Sequence, residues 1–529
     1  MSATATPSTA GTVNQTVYNV RNYGTNTAPD AIKKGDAHLA AGSNVLTSAS
    51  GTFAAADVGK SLTVIGAGPV ALVNGVNVVS DVRTVIVAWT SATEVTLAMI
   101  ASTTVLGGVY FYGTDLYDGL QAAVNAASAA GGGTVHLEAG AWYLSKRINI
   151  KSGVNIEGVN RSRSIIYGGA SVDYMFYYGG PTGIAPLTEF VIANLTLDNC
   201  WICRGSVLRW ENATYCRAEN VSFLNTHAWG AVLGQPDPAT NTALSAGNAF
   251  VDCEWNGHNG TLEMLLLFNV SNTSIIRCRF IGNLGGGPVL GLWQKCYGTY
   301  MERPYFYNCI GTCIYYSFTC DNTVIRDLYA EKSGAAISGA NVSDWGQFGV
   351  DWVDNLQILG ATCIGNQSIV SAKATAITLG SVKNCTVRDV FISGYGVGIN
   401  VTATGAHMKL CLYVDILNPK IRNCNAASDD PILHPAIALD GRFVQFLKIL
   451  GGALYDDQAG HTQLYPISIG GGPITNLTIR DVVLAAPTLA SKSIVYHDNG
   501  TIGPRCVLAD NQAFIGTHPN QYNTPAPTP

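Results

Sequence analysis

Charge is what this sequence has least of. Only 12% of its 529 residues are Asp, Glu, Lys or Arg, against about 25% in an ordinary globular domain. The 30 cations and 35 acids leave a formal net charge of −5. A nucleic-acid-binding surface needs a basic excess, so that class is excluded. Long apolar runs are missing too. The most apolar N-terminal stretch, residues 85–105, carries Glu94 and many Thr and Ser. A membrane span needs about 20 largely unbroken apolar residues, so no membrane insertion is expected. The N-terminus has no basic segment followed by an apolar core, so no secretory signal is read there. Fourteen cysteines include a CxxC at Cys200 and Cys203 and a CxxxC at Cys309 and Cys313, but neither has a second half at zinc-ribbon spacing. The nine His are scattered. No metal site is expected, and the thiols read as buried, reduced, small apolar side chains.

What is present is glycine, at 58 residues, and many Asn, Thr, Val and Ile within a 47% hydrophobic chain. That composition predicts β-structure with many tight turns and excludes disorder. The length exceeds one compact core, which stops growing near about 250–300 residues. Residues 1–16 read as a flexible segment and 17–35 as a first strand, Val17-Tyr-Asn-Val-Arg-Asn-Tyr-Gly24. Residues 36–112 read as a small β module of short strands between Gly and Asn turns. Residues 113–131 read as a helix, with Leu116, Leu120, Ala123, Val124 and Ala127 on one face, Thr114 or Asp115 as cap and Gly131-Gly-Gly as stop.

From about 187 to 487 the chain repeats. Asn194-Leu-Thr-Leu-Asp, Asn248-Ala-Phe-Val-Asp, Asn322-Thr-Val-Ile-Arg, Asn384-Cys-Thr-Val-Arg and Asn476-Leu-Thr-Ile-Arg share one pattern. A period-2 strand inside a repeat of roughly 21–33 residues indicates a solenoid, here a parallel β-helix over 132–500 with a tail at 501–529. The leading Asn residues are expected to stack from coil to coil.

Helix, Gly131-Gly-Gly-Thr-Val-His-Leu-Glu-Ala-Gly-Ala-Trp-Tyr-Leu and Ile148-Asn-Ile-Lys-Ser-Gly-Val-Asn-Ile-Glu-Gly together are similar to the opening of pectate-lyase-like, right-handed parallel β-helix proteins. The inserted module resembles that of the phage tailspike branch. The resemblance implies an all-β, single-stranded, right-handed parallel β-helix with an N-terminal capping helix. It implies a polysaccharide partner, side-by-side homotrimers, phage tail or baseplate contacts, and a place in a virion tail or outside the cell. Residues 511–529 are Pro-rich and carry no coiled-coil heptads. The superfamily spans hydrolases, lyases, epimerases and non-catalytic tail proteins, so fold does not name the reaction. The chain lacks the Asn-Thr-Asp, Asp-Asp and Arg-Ile-Lys signatures of polygalacturonase-type members, and no catalytic residue is carried over.

The repeat itself supplies candidates. Its fourth position faces outward and reads Asp198, Glu219, Asp252, then Arg277 or Ile276, Glu302 and Arg326. If these share one column, adjacent carboxyls raise one another's pKa and suit glycoside hydrolysis, at about 5–5.5 Å for retention or about 6.5–9.5 Å for inversion. The bland alternative is a solvated charge ladder. Seven of the nine Trp lie between 201 and 352, where flat rings suit sugar stacking. Trp229, Trp255, Trp293 and Tyr297, with Arg277 and Arg326, are therefore the candidate substrate contacts, while core filling is the alternative for the rings. Glu263, Asp321, Glu331, Asp344 and Asp351, near loops leaving the same rungs, are weaker acid candidates. His227 and His258, in rung loops, read as satisfied surface residues, with sugar contact as the alternative. A lyase would instead need a cationic base and a metal, with Asp198 and Asp252 holding Ca²⁺. The first expectation is a tailspike-like hydrolase of bacterial capsule, lipopolysaccharide or exopolysaccharide. A non-catalytic binding or structural module and a polysaccharide lyase are the alternatives.

Overall fold

A computed structural model describes residues 16–24, 27–73, 76–168, 174–179, 185–200, 205–234, 244–317, 319–339, 352–365, 374–402, 410–424, 435–455, 466–472, 474–485, 495–498, 505–509 and 511–513. The chain divides into two units, residues 1–167 with 188–195, and residues 168–187 with 196–529.

In the first unit the inserted module is a closed antiparallel barrel. Its strand order is Ile32–Leu39, Val45–Ser48, Glu94–Leu97, Val82–Ser91, Ser61–Val64 and Val105–Gly113. The barrel therefore begins inside the range read as a first strand, whose strand is only Val17–Asn19. Alternation drives Leu46, Leu62, Val64, Ile86, Val95 and Leu97 into one core with Phe53, Tyr110 and Tyr112. The helix spans Tyr117–Ala129, and the face read from its spacing, with Leu120, Ala123, Val124 and Ala127, is buried. Asp115 accepts hydrogen bonds from the Tyr117 and Ser145 amides at 3.1 and 3.0 Å, closing the helix start. Gly131, at φ +87°, takes the left-handed conformation that ends it. The helix packs on Gly133–Leu137. That strand lies between the parallel strands Val17–Asn19 and Val154–Gly158.

The second unit is a parallel β-helix. Equivalent positions of successive coils stack, as in Phe250, Ile275, Met301, Ile325 and Ile358, all buried. A neighbouring inward column holds Trp255, Phe280 and Phe306. Each coil also bends through residues in the left-handed region, recurring in pairs five residues apart: Tyr215 and Asn220, Asn272 and Arg277, Asn322 and Asp327, Asn384 and Asp389, Asn476 and Asp481. At these bends the amide bonds to the next coil, as from Arg277 to the Glu302 carbonyl at 2.8 Å and from Arg303 to the Arg326 carbonyl at 2.8 Å. Asn and Asp suit such positions because they tolerate positive φ better than other side-chain-bearing residues.

The leading Asn residues of the sequence pattern hold three different places. Asn322, Asn384 and Asn476 occupy the first bend of their pair. Asn194 occupies the second, five residues after Glu189. Asn248 is at neither. It is buried one residue past the bend at Gly247, and its side chain donates to the Ala213 carbonyl at 2.9 Å and accepts from the Cys216 amide at 2.8 Å. The expected single Asn stack is thus corrected to two bends and one interior bridge.

Twelve of the thirteen described cysteines are buried, and Cys506 is half-buried. Burial pushes the Cys363 thiol up to about 12, and thiolate is the reactive form. Alkylation of the native protein mapped by mass spectrometry should label Cys506 before any of these twelve. Separately, Trp255→Ala should lower stability by about 3–5 kcal/mol, read in denaturant melts, because it opens a cavity in the interior ring stack.

Candidate functional site

The four candidate acids do not share a column. Glu219 lies opposite Val251, which lies opposite Ile276 and then Glu302. Two apolar rungs therefore separate Glu219 from Glu302, about 14 Å at the usual strand spacing. Asp252 is one residue further on, at a bend, where both its oxygens accept from Arg277 at 2.7 Å. The cause is the one-residue shift of Asn248, which moves everything counted from it by one position. Asp198 is buried and accepts from the Cys200 amide at 2.9 Å and the Asn225 side chain at 2.8 Å. Glu219 pairs with Arg217 at 3.1 Å, and Glu302 accepts from the Tyr300 hydroxyl at 3.2 Å. The carboxylate column expected from the repeat is therefore corrected. Asp198 and Asp252 are not brought together as Ca²⁺ ligands either, and the guanidinium on Asp252 opposes a second cation there. No group of three metal-ligating side chains occurs among the described residues.

The candidate aromatic contacts divide. Trp255 is fully buried, stacked on Phe223 at 4.8 Å and Phe280 at 4.7 Å, so it belongs to the core and not to a sugar subsite. Tyr297 is half-buried opposite Ser271. Arg326 faces Glu302 across the rung and lies 3.8 Å from Asp327, and Arg277 is held by Asp252. Tyr305 and Tyr329 stack on one another at 5.4 Å, with Arg279 over Tyr305 at 5.4 Å. The facing sides of that ladder are covered by its own members. Trp201, Trp345, Asp344 and Asp351 lie outside the described residues.

Trp229 and Trp293 remain half-exposed, and they meet at one carboxyl. The Trp229 indole N–H donates to Glu263 Oε2 at 2.8 Å and the Trp293 indole N–H to Glu263 Oε1 at 2.9 Å. Glu263 is 4% exposed. Trp229 opens the strand Trp229–Leu233, Glu263 stands two residues before Leu265–Leu267, and Trp293 follows Leu290–Leu292, three successive rungs of one face. Gly291 makes the approach possible, since a Cβ there would lie 2.6 Å from the Trp293 indole nitrogen and 3.0 Å from Glu263 Cγ. The Tyr315 ring lies 5.4 Å from Trp293.

The turn that presents Glu263 is tied to the turn that presents Trp229. His258 Nε2 bonds to the Leu262 carbonyl at 2.8 Å, so it carries the proton, and Nδ1 accepts from the Thr226 hydroxyl at 2.7 Å. His258 is fully buried, which corrects its reading as a surface residue, and burial holds it down to about 4. His227, by contrast, is exposed. Burial also raises the Glu263 carboxyl above its ordinary 4.5, against the smaller pull of the two indoles. A raised carboxyl is a better-matched proton donor near neutral pH than an ordinary one, the direction a general acid needs.

These two groups act oppositely on stability. Glu263 binds its proton more tightly in the folded state, so its contribution is present at acid pH and is lost as pH climbs from 4.5 through the raised value. His258 stays neutral in the fold but charges below 6.5 in the unfolded chain, so stability falls as pH drops from 6.5 towards about 4. Thermal melts across this range should show Glu263→Gln flattening the alkaline-side loss and His258→Asn flattening the acid-side loss.

No family model and no curated protein matches the chain in sequence. In structure it is similar to a mutant tailspike protein of E. coli bacteriophage HK620 in complex with pentasaccharide, at 14% identity and TM-score 0.52, covering 74% of this chain and 77% of that one. It is also similar to the N-terminal fragment of gene product 12 of bacteriophage Phi29, at 11% identity and TM-score 0.51, covering 74% and 70%. A mannuronan C-5 epimerase A-module from Azotobacter vinelandii matches at 16% identity and TM-score 0.46, covering 76% and 96%. The stacked parallel rungs and the two phage matches give this chain the right-handed parallel β-helix, the pectate-lyase-like fold.

Proposed function

We propose that this protein recognises a polysaccharide of the bacterial surface, as a tailspike-like component of a virion tail or of the extracellular space. One observation carries the reading: two half-exposed indoles, two rungs apart on one face, converge on a single buried carboxyl on the rung between them. Rings present broad apolar faces to sugar C–H groups at low entropy cost, and the carboxyl fixes their edges. The HK620 tailspike with its pentasaccharide supports the ligand class by analogy of fold. Among the described residues no helix is long and apolar enough to cross a membrane. Side-by-side trimers and attachment to tail or baseplate proteins belong to the same reading.

Hydrolysis is the second reading, favoured by the raised Glu263 carboxyl. Glu263 would protonate the leaving glycosidic oxygen, and a second carboxylate would activate water. Asp198, Glu219, Asp252 and Glu302 lie on strands or bends of the other, longer sheet, so none of them stands beside Glu263 on its strand face. Binding without bond cleavage is the remaining outcome.

Trp229→Ala and Trp293→Ala should each weaken polysaccharide binding by about 1 kcal/mol, roughly fivefold in Kd. Affinity electrophoresis measures it, and unchanged mobility in both variants would remove the proposed face. If the protein releases reducing ends, Glu263→Gln should lower the rate about 10²–10⁴-fold while binding persists. A rise in absorbance at the wavelength of an unsaturated uronate would replace hydrolysis with elimination. Light scattering should give a trimer, and a monomer would count against side-by-side assembly.

A further inference from the structure

One strand of the barrel is apolar on both of its faces. An antiparallel strand with one face in the core and one in water normally alternates apolar and polar residues. Glu94–Leu97 does so: Val95 and Leu97 are buried, while Glu94 and Thr96 take the outward positions. Its neighbour Val82–Ser91 does not. Val82 and Ile86 enter the core, yet the outward positions hold Val85, Val87 and Trp89, all exposed.

Neighbouring segments continue this patch. The Gly59 amide donates to the Ile86 carbonyl at 2.8 Å and the Ile86 amide to the Lys60 carbonyl at 3.0 Å, which brings Val58 and Gly59 alongside Val87 and Ala88. On the other side, the Ala98 amide donates to the Val85 carbonyl at 3.0 Å and the Met99 amide to the Thr84 hydroxyl at 3.0 Å, so Met99 and Ile100 follow beside Val85. The Trp89 indole N–H donates to the Phe53 carbonyl at 3.1 Å, which holds the ring edge next to the exposed run Ala54, Ala55 and Ala56. Val58, Val85, Val87, Trp89, Met99 and Ile100 are 39% to 61% exposed. Together they offer on the order of 500 Å² of apolar surface, in the upper part of what a monomer leaves in one patch. Residues 54–58, 85–89 and 98–100 carry one charge, Asp57, which is buried and accepts from Lys60 at 2.7 Å.

A stable interface takes about 800 Å² from each partner, so this patch is more than half of one. Its composition says which kind. Contacts between proteins that meet and part are about as polar as the rest of the surface, whereas contacts between copies of one chain are more apolar. We infer that this barrel face is where copies of this chain meet, the same patch on each copy packing around a shared symmetry axis. The inference rests on the side-by-side trimer reading above and names a surface that holds it together. The barrel is closed, so it leaves no sheet edge for strand pairing, and side chains make the contact.

Light scattering over a dilution series of the full chain reads the contact. Val87→Asp combined with Met99→Asp puts acids at two exposed positions that neighbouring copies would bring together. The expected variant keeps the parent's circular-dichroism spectrum but dissociates at a concentration about tenfold or more higher than the parent does. Separately, Val87→Cys treated with a short bismaleimide should give covalently linked copies that the parent does not give. A double variant with the parent's spectrum and the parent's dissociation midpoint overturns this inference and leaves the trimer standing. Where the double variant loses that spectrum, the Cys variant decides, and an absence of linked copies overturns the inference. A parent that is monomeric across the whole series overturns both this inference and the trimer.

Discussion

The described coils of the second unit recurrently carry the backbone into the left-handed region twice, five residues apart, and amides at these bends, as at Arg277 and Arg303, reach the next coil. This pair of bends divides each coil's part of the long sheet into short strands and carries its unpaired polar groups into inter-coil hydrogen bonds. Asn and Asp occupy many of these bends, but Arg277, Arg303, Lys332, Tyr413 and Phe446 also adopt positive φ. Bulky side chains there are strained, and the ladder holds them because neighbouring coils fix the same geometry above and below. Tyr413 and Phe446, both exposed, stack at 4.7 Å across adjacent coils, so side chains reinforce the same register.

The low charge content follows from this architecture. Stacked coils bring equivalent positions to about 4.8 Å, so like charges in one column would repel at close range. The acids that do occur are held by partners. Asp252 has Arg277, Glu219 has Arg217, Glu254 has Arg279 and Asp415 has Lys448. These exposed pairs contribute little to stability, but they neutralise the ridges. Glu263 differs in kind. It is buried with no ion pair among the described residues, and burial raises its carboxyl against the smaller pull of the two indoles that donate to it.

The candidate site is a product of rung spacing. Trp229, Glu263 and Trp293 are up to 64 positions apart in the chain, yet three consecutive coils set them side by side. His258, bonded to Thr226 and Leu262, locks two of the connecting turns in one arrangement.

The sequence by itself determined the coil. Alternation in Asn322-Thr-Val-Ile-Arg and its copies, the face of the helix at Leu120 to Ala127 and the Gly stop after it were all readable, because local periodicity and turn chemistry act over a few residues. The Trp-rich middle was visible too, and Glu263 stood among its acids. Which acids and rings share a face was decided only by the tertiary structure. One extra residue at Gly247-Asn248 moved Asp252 from a strand to a bend, and inter-coil hydrogen bonding placed Trp255 inside and Trp229 outside. Strand side chains alternate with a period of two, so a single-residue shift, nearly silent in a loose repeat, reverses which side of the sheet a residue occupies.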